Sequence, residues 1–327
     1  MYQKRILSLL SSLIVAMLIL AACGGAPPAQ NPPDAPDTDT PTDAPNTDTS
    51  TDEPDTEVPP DEPDTDTSTD EPDTEATGGQ GRGAGDTLRI LYWQAPTTLN
   101  THLATGTKDY DASRLILEPL AAVDSDGNLV PLLVKEIPTL ENGGIAEDLS
   151  SITWNLRQDI TWSDGSPFTA EDVVFTYDYC ADEATACTTA TVFQGIASVE
   201  AMDDYTVKIT WEAPTTNQYK TFVSSNGRIL QKAQFGDCIG EAAGTEADCQ
   251  AANLAPIGTG PYKLVAYTPG DRTVIERNPD YWGEPQHWDK VTFRPITSDG
   301  PRVAALLAGD VDLIDKPALQ DLDQIES

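Results

Sequence analysis

Between Gly24 and Gly85 the chain is built almost entirely from Pro, Asp, Glu, Thr, Ser, Gly and Ala, and this tract decides where a fold can exist. It has almost no bulky apolar side chains to bury, so its composition predicts disorder. The octet Ser-Thr-Asp-Glu-Pro-Asp-Thr-Glu occurs at 50–57 and again at 68–75. A repeat so short and polar does not describe a stacked-repeat fold. Fully extended, the tract would reach roughly 190 Å, and as a flexible coil about 45 Å. Residues 23–85 therefore read as a disordered spacer, with a ligand for wall components or cations as the alternative. Folding is confined to 86–327, where aromatic and β-branched residues begin, and that length suits one large or two small domains.

What precedes the spacer sets the compartment. Lys4 and Arg5 lead into an apolar stretch from Ile6 to Leu20, and Leu20-Ala21-Ala22-Cys23 follows. A basic start, an apolar run and small residues before the cut predict a secretory signal peptide, residues 1–22. The Leu-Ala-Ala-Cys string resembles the bacterial lipobox, which implies cleavage before Cys23 and attachment to the membrane through lipid on its thiol. A simple transmembrane anchor is the alternative, but a span needs about 20 residues and the apolar run is short for that.

Removing Cys23 leaves Cys180, Cys187, Cys238 and Cys249, two local pairs in a compartment that permits disulfides. Four cysteines allow three connectivities; near-neighbour pairing is the favoured one. A metal site is disfavoured, because neither pair has CxxC spacing and the only histidines are His102 and His287.

The formal net charge is −35, divided as −16 in residues 24–85, +2 in the signal segment and −21 in 86–327. So acidic a body, with no Lys/Arg cluster, excludes nucleic acid as a partner and is repelled by anionic lipid.

Within 86–327 the patterns of both regular structures alternate, predicting an α/β protein. Thr87–Trp93 reads as a buried strand, and Ile152–Leu156 and Thr206–Trp211 as half-buried ones. Asp109–Leu120 reads as a helix ended by Pro119. Phe168–Tyr179 reads as another, with Thr169 and Asp172 resembling a capping box. Lys263–Tyr267 and Arg272–Arg277 flank Pro269-Gly270 as a hairpin. Val303–Leu307 reads as a short helix stopped by Gly309, before a strand at Val311–Ile314. Trp154, Trp162, Trp211, Trp282 and Trp288 read as structural.

Catalytic patterns are missing from the sequence. It holds no GxSxG, HExxH or GxxxxGK[ST]. Gly258-Thr259-Gly260 precedes a strand-like segment rather than the helix a phosphate loop needs. Asp124-Ser125-Asp126-Gly127-Asn128 looks like a calcium-loop fragment, but position 12 is Lys135 where a Glu is required, so a tight turn is the reading. No metal or cofactor is expected, and an enzyme is the weaker class.

Segment 152–178, ITWNLRQDITWSDGSPFTAEDVVFTYD, resembles the hallmark of the extracellular solute-binding proteins of the peptide/nickel (oligopeptide/dipeptide) ABC transporter family. Three further stretches resemble that family in order: 96–120, 257–284 and 305–315. The resemblance implies a type II periplasmic-binding-protein-like clamshell. Lobe 1 would use 86–120 and 232–327, with an inserted domain at 121–231. Family members continue across a hinge into a second lobe, which this chain, ending at Ser327, would lack. The implied function is capture without chemistry: a lipid-anchored, extracytoplasmic subunit would bind peptides, or another small solute such as a sugar, and deliver them to ABC permease and ATPase subunits. Nickel or haem has little support from two histidines. By position in the family pattern, Thr105, Gly106 and Thr107 would border the ligand cleft and Trp93 would floor it, with Gly106 permitting close backbone approach. The rivals are a surface sensor or adhesion module that kept the fold without transport, and a non-functional fragment.

Overall fold

The computed structural model describes residues 86–326; the expected signal peptide 1–22, Cys23 and the acidic tract to residue 85 lie outside the described residues. Strand β1 (Thr87–Tyr92) is followed by helix α1 (Thr107–Ser113), β2 (Ala121–Val123), β3 (Leu129–Pro131), β4 (Ser151–Asn155) and α2 (Ala170–Ala181). Next come β5 (Ile196–Asp203), β6 (Thr206–Trp211), α3 (Lys232–Phe235), α4 (Ala242–Thr245) and α5 (Ala247–Leu254). The chain closes with β7 (Tyr262–Thr268), β8 (Arg272–Arg277), β9 (Lys290–Pro295), α6 (Asp299–Ala308), β10 (Leu313–Ile314) and α7 (Leu322–Glu326). Among the described residues no helix is long and apolar enough to cross a membrane.

Three sheets form among the described residues. The five-stranded sheet has the order β10-β1-β9-β8-β7, parallel across β10, β1 and β9 and antiparallel from β9 to β7. Strand β1 lies inside it with β9 on one side and β10 on the other, so both of its edges are hydrogen-bonded, and its residues are half-buried until Leu91 and Tyr92, which are buried. Successive side chains point to opposite faces. Tyr92 stacks on Phe293 in the main core (centroids 5.3 Å apart), while Leu91 joins Leu306 and Val311 on the other face. The three-stranded sheet β4-β6-β5 comes wholly from 151–211, and β2-β3 is a hairpin turned by Asp124, whose Oδ1 accepts the N–H groups of Asp126 and Asn128.

Helix α2 starts where its capping residues place it. The Thr169 N–H donates to Asp172 Oδ2 (3.0 Å), which also receives the Trp162 indole N–H (3.2 Å), and Asp172 Oδ1 receives the Lys232 N–H (2.9 Å). Burial pushes the Asp172 carboxyl above the usual range against these donors. The β7–β8 hairpin turns at Gly270 (φ +75°), and α6 stops at Gly309 (φ +80°), both in the left-handed region glycine favours.

Three expected elements differ from what forms; the short helix read at 303–307 is the longer α6, which starts at Asp299. The helix read over 109–120 is instead α1, which starts two residues earlier and ends at Ser113. Its apolar continuation is pulled out of helical pairing: the Leu115 and Ile116 carbonyls accept from Tyr262 (3.0 Å) and Gly260 (2.9 Å). This contact explains the glycines of Gly258-Thr259-Gly260, since a Cβ on Gly258 would lie 1.9 Å from the Ile116 oxygen. The strand read at 311–314 is reduced to Leu313–Ile314.

Just beyond, Glu118 is buried and accepts from Thr259 Oγ1 (2.9 Å), Tyr281 OH (2.9 Å) and Trp282 Nε1 (3.0 Å). Burial raises its carboxyl pKa despite these donors. The Arg157 guanidinium stacks over Trp282 at 4.4 Å. Cys180–Cys187 and Cys238–Cys249 are disulfides in the structure, with Cα atoms 5.3 and 5.5 Å apart.

Candidate binding site at the carboxyl edge of the sheet

Open α/β sheets take ligands in the crevice outside the carboxyl ends of their strands. Here the parallel strands β1 and β9 run out together, and a cleft of about 700 Å³ lies there. Gln94–Thr97 after β1, Pro295–Thr297 after β9, and Tyr267, Pro269 and Gly270 of the β7–β8 hairpin line it. No carboxylate, amine or guanidinium is among these lining residues, so the walls are mostly apolar, with backbone polar groups and the uncharged side chains of Gln94, Thr97, Tyr267 and Thr297.

The loop after β1 is tied down from several sides. Asp109, fully buried, accepts the Thr97 N–H (2.6 Å), and both its oxygens take the Lys108 ammonium (2.9 and 2.8 Å). The Tyr267 hydroxyl donates to the Pro96 carbonyl (2.7 Å). Burial raises the Tyr267 pKa, and the Asp109 charge adds to that. The Asn253 carbonyl on α5 accepts from Thr98 Oγ1, Leu99 N and Asn100 N at 2.9–3.0 Å. Helix α5 carries Cys249, so its disulfide to Cys238 braces the same support.

A second anchor serves the ends of β9 and β10. Arg302 is 1% exposed; its guanidinium donates to the carbonyls of Ile296 (2.6 Å), Thr297 (3.1 Å) and Lys316 (3.3 Å) and pairs with Asp299.

None of the residues expected to contact ligand, Trp93, Thr105, Gly106 and Thr107, lines this cleft; Trp93 directly precedes its first lining residue, Gln94. Trp93 and Thr107 meet through a residue the sequence did not single out: Lys316 Nζ lies 2.9 Å from Thr107 Oγ1 and 5.2 Å from the Trp93 ring centroid. Lys316 holds a left-handed backbone (φ +50°), an uncommon state for a residue with a Cβ. The Trp93 indole N–H is buried with no hydrogen-bond partner among the described residues. Thr105 is exposed and Gly106 half-buried at the start of α1. Gly106 is extended (φ −147°), and a Cβ there would meet nothing described nearer than Lys108 Nζ at 3.7 Å. Neither backbone conformation nor protein packing therefore requires glycine at 106.

Segment 102–104, immediately before these residues, is held by the chain after Cys187. The Thr188 N–H donates to the His102 carbonyl (2.7 Å) and its hydroxyl to the Ala104 carbonyl (2.8 Å). His102 is fully buried, with Nε2 2.7 Å from the Arg228 carbonyl and Nδ1 2.6 Å from Thr189 Oγ1. Burial, reinforced by the Arg228 charge, lowers its pKa to about 4 even though the bond to the Arg228 carbonyl opposes the shift. Lys108, Asp109, Arg302 and Lys316 had no signal in the sequence, because an isolated Lys, Asp or Arg is ordinary surface composition until the fold buries it, as for the first three, or brings it against distant partners, as for the exposed Lys316.

The family described as bacterial extracellular solute-binding proteins, family 5 Middle, matches residues 128–327. Protein XP55 of Streptomyces lividans is 30% identical over 232 residues, covering 71% of this chain and 39% of that protein. The periplasmic oligopeptide-binding protein OppA of Salmonella typhimurium is 29% identical over 237 residues, 66% of this chain and 40% of its own. Among solved structures, the oligopeptide-binding protein AppA of Bacillus subtilis, in complex with a nonapeptide, aligns with a TM-score of 0.65 at 25% identity, over 76% of this chain and 47% of that one. The chain thus spans about two fifths of the length of these curated relatives. The fold is that of the type II periplasmic-binding proteins.

Proposed function

The chain belongs to the bacterial extracellular solute-binding proteins of family 5, and from that premise we propose that it is the lipid-anchored solute-binding subunit of an ABC importer, capturing peptides or a related small solute for a membrane permease and its ATPase. The observation that carries this reading is the cleft at the carboxyl ends of β1 and β9, braced by buried polar groups and free of side chains arranged for chemistry. Such walls suit an extended backbone with loosely accepted side chains, because backbone carbonyls and N–H groups bind main chain while apolar surface tolerates varied residues. OppA and AppA, named for oligopeptides, point the same way. The role is binding rather than catalysis.

In this reading lobe 1 comprises 86–120 and 232–327, and 121–231 is the inserted domain. The sheets support that division, since the five-stranded one draws on 87–92 and 262–314 and the three-stranded one on 151–211 alone. Trp93, Thr105, Gly106 and Thr107, with Lys316, form the rim the solute meets. Cys23 carries the lipid, and the acidic tract spaces the fold from the membrane.

The test is thermal denaturation of the protein against a panel of di-, tri- and oligopeptides. A ligand at about 100 times its Kd adds about 2.7 kcal/mol of stability, a readily resolved rise in Tm. No rise with any peptide would remove the peptide reading. For the anchor, labelled fatty acid is expected to enter the wild-type chain and not Cys23→Ala; equal labelling of both would remove the anchor.

A further inference from the structure

Both sulfurs of the Cys180–Cys187 bridge and a ring nitrogen of His102 lie within 4.8 Å of one another. All three residues are buried, at 3%, 9% and 0% exposure. Bridged sulfur is a poor ligand, whereas thiolate binds Zn²⁺ readily. We propose that reduction of this disulfide creates a buried Cys₂His site for a thiophilic divalent ion of the zinc class.

The histidine is already arranged as a ligand. The Arg228 carbonyl can only accept, so Nε2 carries the proton and donates to it at 2.7 Å. Nδ1 then presents its lone pair, now receiving the Thr189 hydroxyl at 2.6 Å. An imidazole whose second N–H rests on a backbone carbonyl is the usual support for a metal-bound histidine. The ring is neutral at ordinary pH, so no proton must leave it. The Thr189 oxygen is also 3.6 Å from Cys180 Sγ, which places a small polar group between nitrogen and sulfur. Zinc–nitrogen and zinc–sulfur bonds of about 2.0 and 2.3 Å require ligand atoms roughly 3.5–3.8 Å apart, so shifts of about 1 Å and a rotation of Thr189 complete the site. The Thr189 hydroxyl or a water supplies the fourth ligand. Two thiolates neutralise a divalent cation, which makes burial of the charge tolerable.

The redox step balances with a dithiol reductant. Its own S–S bond forms as the Cys180–Cys187 bond breaks, and its two electrons and two protons generate two thiols. Metal binding then releases both thiol protons to solvent. The sequence argued against a metal because neither cysteine pair has CxxC spacing and only two histidines occur; the fold nevertheless brings one of those histidines, His102, to the Cys180–Cys187 pair.

The experiment uses the full chain, reduced with a water-soluble phosphine, freed of reductant and titrated anaerobically with Co²⁺. Near-ultraviolet circular dichroism reports the fold throughout. The expected result is saturation at one ion per chain, with a thiolate-to-cobalt charge-transfer band and visible d–d bands, and no such bands in the oxidised protein. The bands should persist in Cys238→Ser/Cys249→Ser and vanish in Cys180→Ser/Cys187→Ser. His102→Asn should weaken Co²⁺ binding at least about tenfold. Absence of the bands in the reduced chain, their persistence without Cys180 and Cys187, unchanged affinity in His102→Asn, or loss of the fold on reduction that Co²⁺ does not restore would each overturn the proposal.

Discussion

Lowering the pH should remove the stability that the fold gains by keeping His102 neutral. Its ring is fully buried and holds a proton only below about pH 4, whereas in the unfolded chain it titrates near 6.5. Between those values the unfolded chain binds the additional proton, so stability falls as the pH drops from 6.5 towards 4 and is regained as it rises. From pH 7 to pH 4.5 the difference amounts to about 2 kcal/mol, approaching a limit of about 3.4 kcal/mol for a shift of roughly 2.5 pKa units. The buried carboxyls of Glu118 and Asp172 act in the opposite sense: raised above their unfolded values, they favour the fold as the pH falls. Wild type must therefore be compared with His102→Gln, which cannot titrate. The assay is urea denaturation of both proteins at pH 7 and pH 4.5. The variant is expected to be weaker at pH 7, having lost the bonds to Thr189 and the Arg228 carbonyl, yet to lose about 2 kcal/mol less than wild type between the two pH values. Identical losses in the two proteins would refute the argument that burial holds this imidazole neutral.

Other perturbations test the supports of the cleft. Asp109→Asn leaves the Lys108 ammonium buried without its counter-charge and should cost about 3–5 kcal/mol in urea denaturation; a loss under 1 kcal/mol would mean that the pair is solvated. Gly258→Ala forces a methyl group against the Ile116 carbonyl and should destabilise by about 2–4 kcal/mol, readable as a drop in Tm, while Gly106→Val should change stability by less than about 0.5 kcal/mol. In peptide titrations, an unchanged affinity in Gly106→Val would remove residues 105–107 from the binding rim. Cys238→Ser/Cys249→Ser opens a short loop and should cost about 3 kcal/mol by chain entropy, measured against the oxidised wild type.

Much of the architecture could be read from local patterns because local physics dictates it. The run TLRILY read as a strand and forms one, buried only at Leu91 and Tyr92, and Thr169 with Asp172 marked the start of α2. Gly270 and Gly309 marked a turn and a stop for the same kind of reason, a backbone conformation that side chains resist. The family could likewise be read from 152–178, since that segment strings together a strand, a turn and a capped helix whose residues each have a local task. The helix over 109–120 was misread because apolar periodicity cannot register that residues 260 and 262 claim the carbonyls of Leu115 and Ile116.

The sequence by itself determined the class of fold and where several strands, turns and helix ends fall, because these depend on composition and short-range order. Tertiary structure decided the site. Lys316 reaches Thr107 across more than two hundred residues of chain, Arg302 gathers the ends of two strands, and Asp109 becomes a buried clamp for Thr97. Each is a charged residue of unremarkable sequence context. For Asp109 and Arg302 the role arises when packing removes water, since a charge that has lost its hydration must find partners wherever the fold has brought them, whereas Lys316 stays exposed and is placed by the course of the backbone.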